Sequence, residues 1–203
     1  DITHCVGTRR RRFLFGGVAT ALCLETLESV LRLPLRIISL QFVAPTMLGS
    51  ELALEVTRSN GRGTVQAGIE GKVEGITVLN GFGALDRRAE EFSQCCAAAM
   101  PDAPPPADCP VLLAHAEADQ DAHSRLEIRH VKGRFGIFSK EEQTVDGKVQ
   151  VWMRASSGSL TSAHLAMAAD FLPSTSGNAT GRRAGGSGLD NTLRLMGPVE
   201  TEW

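Results

Sequence analysis

The chain has 203 residues, enough for one generous domain or two small fused ones. An apolar fraction of 42%, a charged fraction of 22% and a formal net charge of -2 fit an ordinary soluble globular protein and leave no electrostatic footprint for nucleic acid. The five cysteines, Cys5, Cys23, Cys95, Cys96 and Cys109, give neither an even disulfide framework nor the paired spacing of a structural zinc site, so reduced thiols in a cytoplasmic protein are expected.

Arg9 to Arg12 form a short basic run, read as a solvated strand end or loop, with contact to substrate phosphates as the other reading. The apolar residues 13–18 that follow run straight into Glu25 and Glu28 without a cleavage-type pattern, so they do not make a signal peptide. No apolar run approaches the roughly 20 residues that a membrane span needs, and no membrane partner is expected.

Residues 17–33 contain no proline and are apolar on almost every side, with Glu25 and Glu28 making one polar strip. That pattern predicts a buried helix ended by Pro34. Strands follow. Ile38, Leu40 and Phe42 alternate with polar residues, and Leu52, Leu54 and Val56 alternate in the same way. Asn60-Gly61 reads as a turn, and 64–73 and 76–82 as two further strands joined at Glu74-Gly75. One helix followed by antiparallel strands predicts an α+β class, with the sheet wrapped around the helix.

The composition then changes. Met100-Pro101-Asp102-Ala103-Pro104-Pro105-Pro106 cannot pack inside a helix or sheet and reads as a linker. Beyond it, 126–131 and 149–153 alternate as strands with a turn at Asp146-Gly147. A second helix is predicted over 159–172, and a glycine-rich loop over 181–188 leads to a last strand, 189–196. Helix, break, strand and proline thus occur twice, ending at Pro45 and at Pro198, an offset of 198 − 45 = 153 positions. This order suggests an internal duplication. The units are 1–96, a proline-rich linker over 97–122, and 123–203, the second unit being short of strands and open to completion by another chain.

Several chemistries are absent. Gly185-Gly186-Ser187-Gly188-Leu189 lacks the closing glycine of a nucleophile elbow, and there is no Walker-type phosphate loop. Asp119, Asp121 and His123 sit in a polar connector, and neither a metal site nor a cofactor is expected. Two features carry more. Asp190 opens a strand directly after the glycine-rich loop, and strand alternation puts it on one face with Thr192, opposite Leu189, Asn191 and Leu193. A carboxylate so placed acts as a general base toward water or simply caps a turn. Gly16 and Gly17 open the first helix, where free N–H groups favour a developing oxyanion, or where small residues allow close packing.

Phe13-Leu14-Phe15-Gly16-Gly17, the strand Leu40-Gln41-Phe42-Val43-Ala44-Pro45, the turn Arg58-Ser59-Asn60-Gly61-Arg62 and the linker from Met100 resemble thioesterase II-type acyl-CoA thioesterases. The most specific match is Leu189-Asp190-Asn191-Thr192-Leu193-Arg194, followed by Pro198-Val199-Glu200-Thr201-Glu202-Trp203. The resemblance covers nearly the whole chain. It implies a double hotdog with an incomplete second half, and hydrolysis of acyl-CoA to fatty acid and coenzyme A, a step of fatty acid metabolism. It also implies a catalytic set similar to Asp–Thr–Gln, with Asp190 on the family's aspartate and the other two beyond Trp203. Gly16, Gly17, Asn191 and Thr192 are then assigned to substrate binding, although Thr192 is not the family's threonine. A homo-oligomer joined edge to edge is expected. The alternatives are an acyl-thioester-binding or assembly module without turnover, and a dehydratase, for which the helix start lacks a His–Asp or His–Glu pair.

Overall fold

The computed structural model describes residues 6–8, 11–59, 64–86, 99–112, 122–135, 146–171, 175–182, 187–197, 199 and 201–203. The Asn60-Gly61 turn, Cys5, Cys95 and Cys96, Asp119 and Asp121, and the side chains of Arg9 to Arg12 and His123 lie outside what is described.

A short hairpin, β1 (Val6–Thr8) with β2 (Arg11–Leu14), leads into α1 (Gly16–Leu31). Helix-favouring Ala, Leu and Glu fill α1, and it buries Val18, Ala21, Cys23, Leu24 and Leu27. It is less uniformly buried than its composition predicts, since Leu22 and Val30 on the outer side are exposed. The helix also stops before the proline. Arg32 turns left-handed at φ 56 and returns its N–H to Glu28 O, a C-cap that needs no proline. Glu28 Oε1 accepts the N–H of Leu35 at 2.7 Å, which ties the next strand to the helix end.

That strand is β3 (Leu35–Phe42). With β4 (Ala53–Ser59), β5 (Val65–Val73) and β6 (Ile76–Leu85) it forms an antiparallel sheet that wraps α1. Glu74 and Gly75 both take positive φ, 52 and 80, in the two-residue turn expected between β5 and β6. Leu35, Ile38, Leu40, Ile69, Leu79 and Leu85 point inward onto Leu24 and Leu27. A Cβ at Gly83 would lie 2.6 Å from Leu27 Cδ1, so glycine there lets the helix settle on β6.

The second half holds β7 (Leu126–Lys132), β8 (Gln150–Ala155), α2 (Ser162–Ala169), α3 (Thr175–Thr180) and β9 (Asp190–Arg194). Four details differ from the sequence reading or were not given by it. The Asp146-Gly147 turn exists, with Gly147 at φ 70, but it sits just before β8, and Lys132 pairs with Gln150 across a longer connection. The expected 159–172 helix is confined to α2 by a capping box between Thr161 and His164, and α3 is an additional helix. The proline-rich segment is not a free spacer. Pro104 O accepts the Trp152 indole N–H at 2.9 Å, and Leu112 N–H and His130 N–H exchange bonds across Ile128 and Pro110, so the segment lies along β7.

The last difference is the largest. β9 joins the first sheet rather than pairing with β7 and β8, giving the order β4-β5-β6-β3-β9, with β7-β8 a separate pair. The C-terminal Trp203 packs on that pair, with the guanidinium groups of Arg129 and Arg154 5.2 and 4.6 Å from its ring centre. Among the described residues no helix is long and apolar enough to cross a membrane.

Candidate active site

Phe15 precedes α1 in extended geometry and offers no side-chain cap to the helix. The first-turn N–H groups therefore need an acceptor from elsewhere. Asp170 supplies it. Its Oδ2 accepts the N–H of Gly17 at 2.8 Å, the bond that an N-cap residue would normally provide, from 153 positions away in sequence. Asp170 reaches this place because it terminates α2, whose C-terminal end packs against the start of α1.

Both glycines leave room for this contact. A Cβ on Gly16 would stand 2.8 Å from Asp170 Oδ2 and 3.1 Å from the Phe42 ring. One on Gly17 would stand 2.7 Å from Met167 O. The packing reading of Gly16-Gly17 is thus met at both positions, and the Gly17 N–H is occupied by a carboxylate. Gly188, just ahead of β9, faces the other carboxylate oxygen, since a Cβ there would lie 3.4 Å from Asp170 Oδ1.

Burial pushes the Asp170 carboxyl above the usual carboxylate range, and the Gly17 N–H bond partly offsets that rise. The negative end of the α2 dipole opposes ionisation, while the positive end of α1 favours it. Such a carboxylate is a better proton acceptor than a solvated one.

Phenylalanines gather at the same junction. Phe15 and Phe171 have ring centres 5.2 Å apart, Phe171 and Phe135 5.5 Å apart, and the Phe42 ring abuts Gly16.

The remaining predicted residues divide between two faces of β9. Asn191 is buried and points toward α1, where its Nδ2 donates to Thr20 Oγ1 at 3.4 Å. Thr20 Oγ1 in turn donates to Gly16 O at 2.9 Å. Asn191, Gly16 and Gly17 are therefore brought together with Asp170. Asp190 and Thr192 stand on the opposite, exposed face. Asp190 is paired across from Gln41, and Thr192 Oγ1 lies 2.8 Å from Ser39 Oγ.

Sequence reading missed Asp170 because it was placed inside a continuous helix, one of several acidic residues without a motif. Two signals pointed to it. Phe-Leu-Pro follows it, which breaks the helix beside the acid, and 170 − 153 = 17 sets it opposite Gly17 under the internal repeat.

An open groove of about 630 Å³ lies elsewhere, between Arg154, Ser156 to Leu160 and Thr201-Glu202. Its Arg154 is already bound by Glu127 and Glu202 at 2.6 Å each, so it carries no free cation for a substrate. Among the described residues no group of three or more His, Cys, Asp or Glu side chains is placed to hold a metal.

Residues 97–203 match the family model described as acyl-CoA thioesterase C-terminal domain. The structure superposes with a TM-score of 0.79 on a protein assigned as a thioesterase from Novosphingobium aromaticivorans. The two are 35% identical over 97% of this chain and 75% of that one. A hot dog fold protein of unknown function from Alicyclobacillus acidocaldarius matches at 22% identity and TM-score 0.77, over 92% of this chain and 69% of its own. A protein assigned as a thioesterase II from Thermobifida fusca matches at 20% identity and TM-score 0.76, over 96% of this chain and 74% of its own. At the last two identities the likeness is one of fold. Among curated proteins none matches.

Proposed function

This chain belongs to the acyl-CoA thioesterase family, and on that premise we propose that it hydrolyses acyl-CoA thioesters, with the Asp170 carboxylate orienting the attacking water. One observation carries the reading: a half-buried carboxylate of raised pKa is held by the Gly17 N–H at the start of the central helix.

In the reaction, Asp170 accepts a proton from water as the oxygen adds to the thioester carbonyl carbon. The tetrahedral intermediate then expels the coenzyme A thiolate, which takes up the proton, and free carboxylic acid remains. No covalent enzyme intermediate is required. Gly16, Thr20 and Asn191 hold the helix start against β9, so that the carboxylate is fixed before substrate arrives.

Asp190 is the competing candidate. Its exposure and its position on the outer face of β9 favour Asp170. Chromatographic assay of an acyl-CoA panel with wild type, Asp170→Asn and Asp190→Asn separates the two. Loss in the first variant alone supports this reading, and loss in the second alone reverses it.

The same bond also supports a second reading: it occupies the Gly17 N–H, one of the groups considered for an oxyanion, which favours binding of acyl thioesters without turnover. We also propose self-association through sheet edges, since among the described residues β4 and β9 end the five-stranded sheet. Sedimentation at micromolar concentration tests it, and a monomer mass counts against it.

A further inference from the structure

We propose that Asn178 is a positioning residue that holds Phe135 against Phe171, the residue next to Asp170, and that Phe135 sets acyl-chain selectivity. This rests on the reading of Asp170 as the reacting centre.

Asn178 is 1% exposed, one of few buried polar side chains among the described residues. Both ends of its amide are spent on one backbone unit. Its Oδ1 accepts the N–H of Arg134 at 2.9 Å, and its Nδ2 donates to Arg134 O at 2.7 Å. That is the exchange a neighbouring strand would make, here supplied by a side chain. The segment is held from its other side too, by His130 Nε2 at 2.6 Å from Gly133 O, where Gly133 turns the chain with φ 79.

The next residue is Phe135. Its ring lies 5.5 Å from that of Phe171, tilted at 48°, and Phe171 lies 5.2 Å from Phe15. Phe171 directly follows Asp170 and Phe15 directly precedes Gly16. Asn178 is thus linked to Asp170 through a backbone clamp and one ring contact, Phe135 on Phe171. Phe171 is buried, while Phe135 is half-buried and packs against the core.

The rings that meet here, Phe15, Phe171 and Phe135, with Phe42 against Gly16, form an apolar cluster without a hydroxyl. Contact with it rewards length in an acyl chain, by about fourfold in affinity for each methylene fully covered.

The test measures kcat and KM separately for acetyl- to palmitoyl-CoA in wild type, Phe135→Ala, Asn178→Ala, Asn178→Asp and Asp170→Asn. Phe135→Ala is expected to raise KM for the long acyl groups by about tenfold. KM for acetyl-CoA and kcat at saturation should hold within about threefold. Asn178→Ala should reproduce that split and should not add to Phe135→Ala in the double variant, because both act through one ring. Asn178→Asp keeps the acceptor for Arg134 N–H and should fall between wild type and Asn178→Ala.

A uniform loss across chain lengths, or a lowered melting point with unchanged chain-length dependence, overturns the positioning role. Retained turnover in Asp170→Asn refutes the catalytic reading separately, because the chain-length dependence of KM is still read. Should wild type show no turnover, affinities for acyl-CoA thioethers of graded length, measured by calorimetry, give the same comparison. A chain-length dependence unchanged by Phe135→Ala then refutes the proposal.

Discussion

Gly17 and Asp170 stand 153 residues apart and share a 2.8 Å bond from backbone N–H to carboxylate. Ser39 and Thr192, also 153 apart, share a 2.8 Å bond between hydroxyls at the centre of the β3–β9 pairing. When residues at a fixed repeat offset touch one another, the two copies are related by an axis running between them. One pair lies on the outer face of the sheet and the other at the helix start beneath it. The carboxylate therefore sits where the two repeats meet, and each half supplies part of its surroundings.

Substitutions at Asp170 should separate stability from activity. Its folded-state pKa is raised, so its favourable contribution is full below the unfolded carboxylate value and is lost as pH rises through the folded value. Asp170→Asn keeps an oxygen for Gly17 and removes the buried charge. We expect it to melt above wild type at pH 7, with the gap closing in acid. Asp170→Ala removes the cap as well and should cost about 1 kcal/mol relative to Asp170→Asn. Thermal melts between pH 3 and pH 8 check this, and a pH-independent gap between wild type and Asp170→Asn contradicts it.

The two glycines should respond differently to a methyl group. At Gly16 the methyl meets the end of the Asp170 side chain and the Phe42 ring, both able to shift. Gly16→Ala should therefore fold and lose turnover as the carboxylate is displaced. At Gly17 the methyl meets Met167 backbone, with Cα at 2.9 Å. The helices would have to separate, so Gly17→Ala should lose about 1–3 kcal/mol by urea unfolding. Equal stabilities for the two variants would argue against the close contact of α1 with α2.

Cys23 is fully buried on α1, and burial pushes its thiol up to about 12. It should stay unlabelled by a maleimide in the folded protein at pH 8 and react once the chain is unfolded. Peptide mass mapping reads this directly, and labelling of Cys23 in the native state would contradict the burial of that face of α1.

The fold was legible where periodicity carried it. Alternation at Ile38, Leu40 and Phe42 gave β3, because it reports one buried face, and the proline-free, largely apolar stretch 17–33 gave α1. The pairing of β9 was not legible. Asp190–Arg194 alternates equally well beside any strand, and only the three-dimensional meeting of the repeats selects β3. The packing of the proline-rich segment along β7 was not legible either. Prolines rule out sheet interior, yet their carbonyls still accept bonds, as Pro104 does from Trp152. Around the candidate site, Gly16 and Gly17 were singled out by local pattern and Asn191 by the resemblance. Asp170 was not, since its partner is a backbone N–H far away in sequence.

The central claim is that Asp170 is the reacting carboxylate. The most direct measurement is the pH dependence of kcat/KM for one acyl-CoA, in wild type, Asp170→Asn and Asp190→Asn. We expect wild type to lose activity as pH falls through the raised Asp170 value, Asp190→Asn to follow the same curve, and Asp170→Asn to lose at least about a hundredfold at every pH. Full activity in Asp170→Asn, or its loss in Asp190→Asn alone, would contradict the assignment.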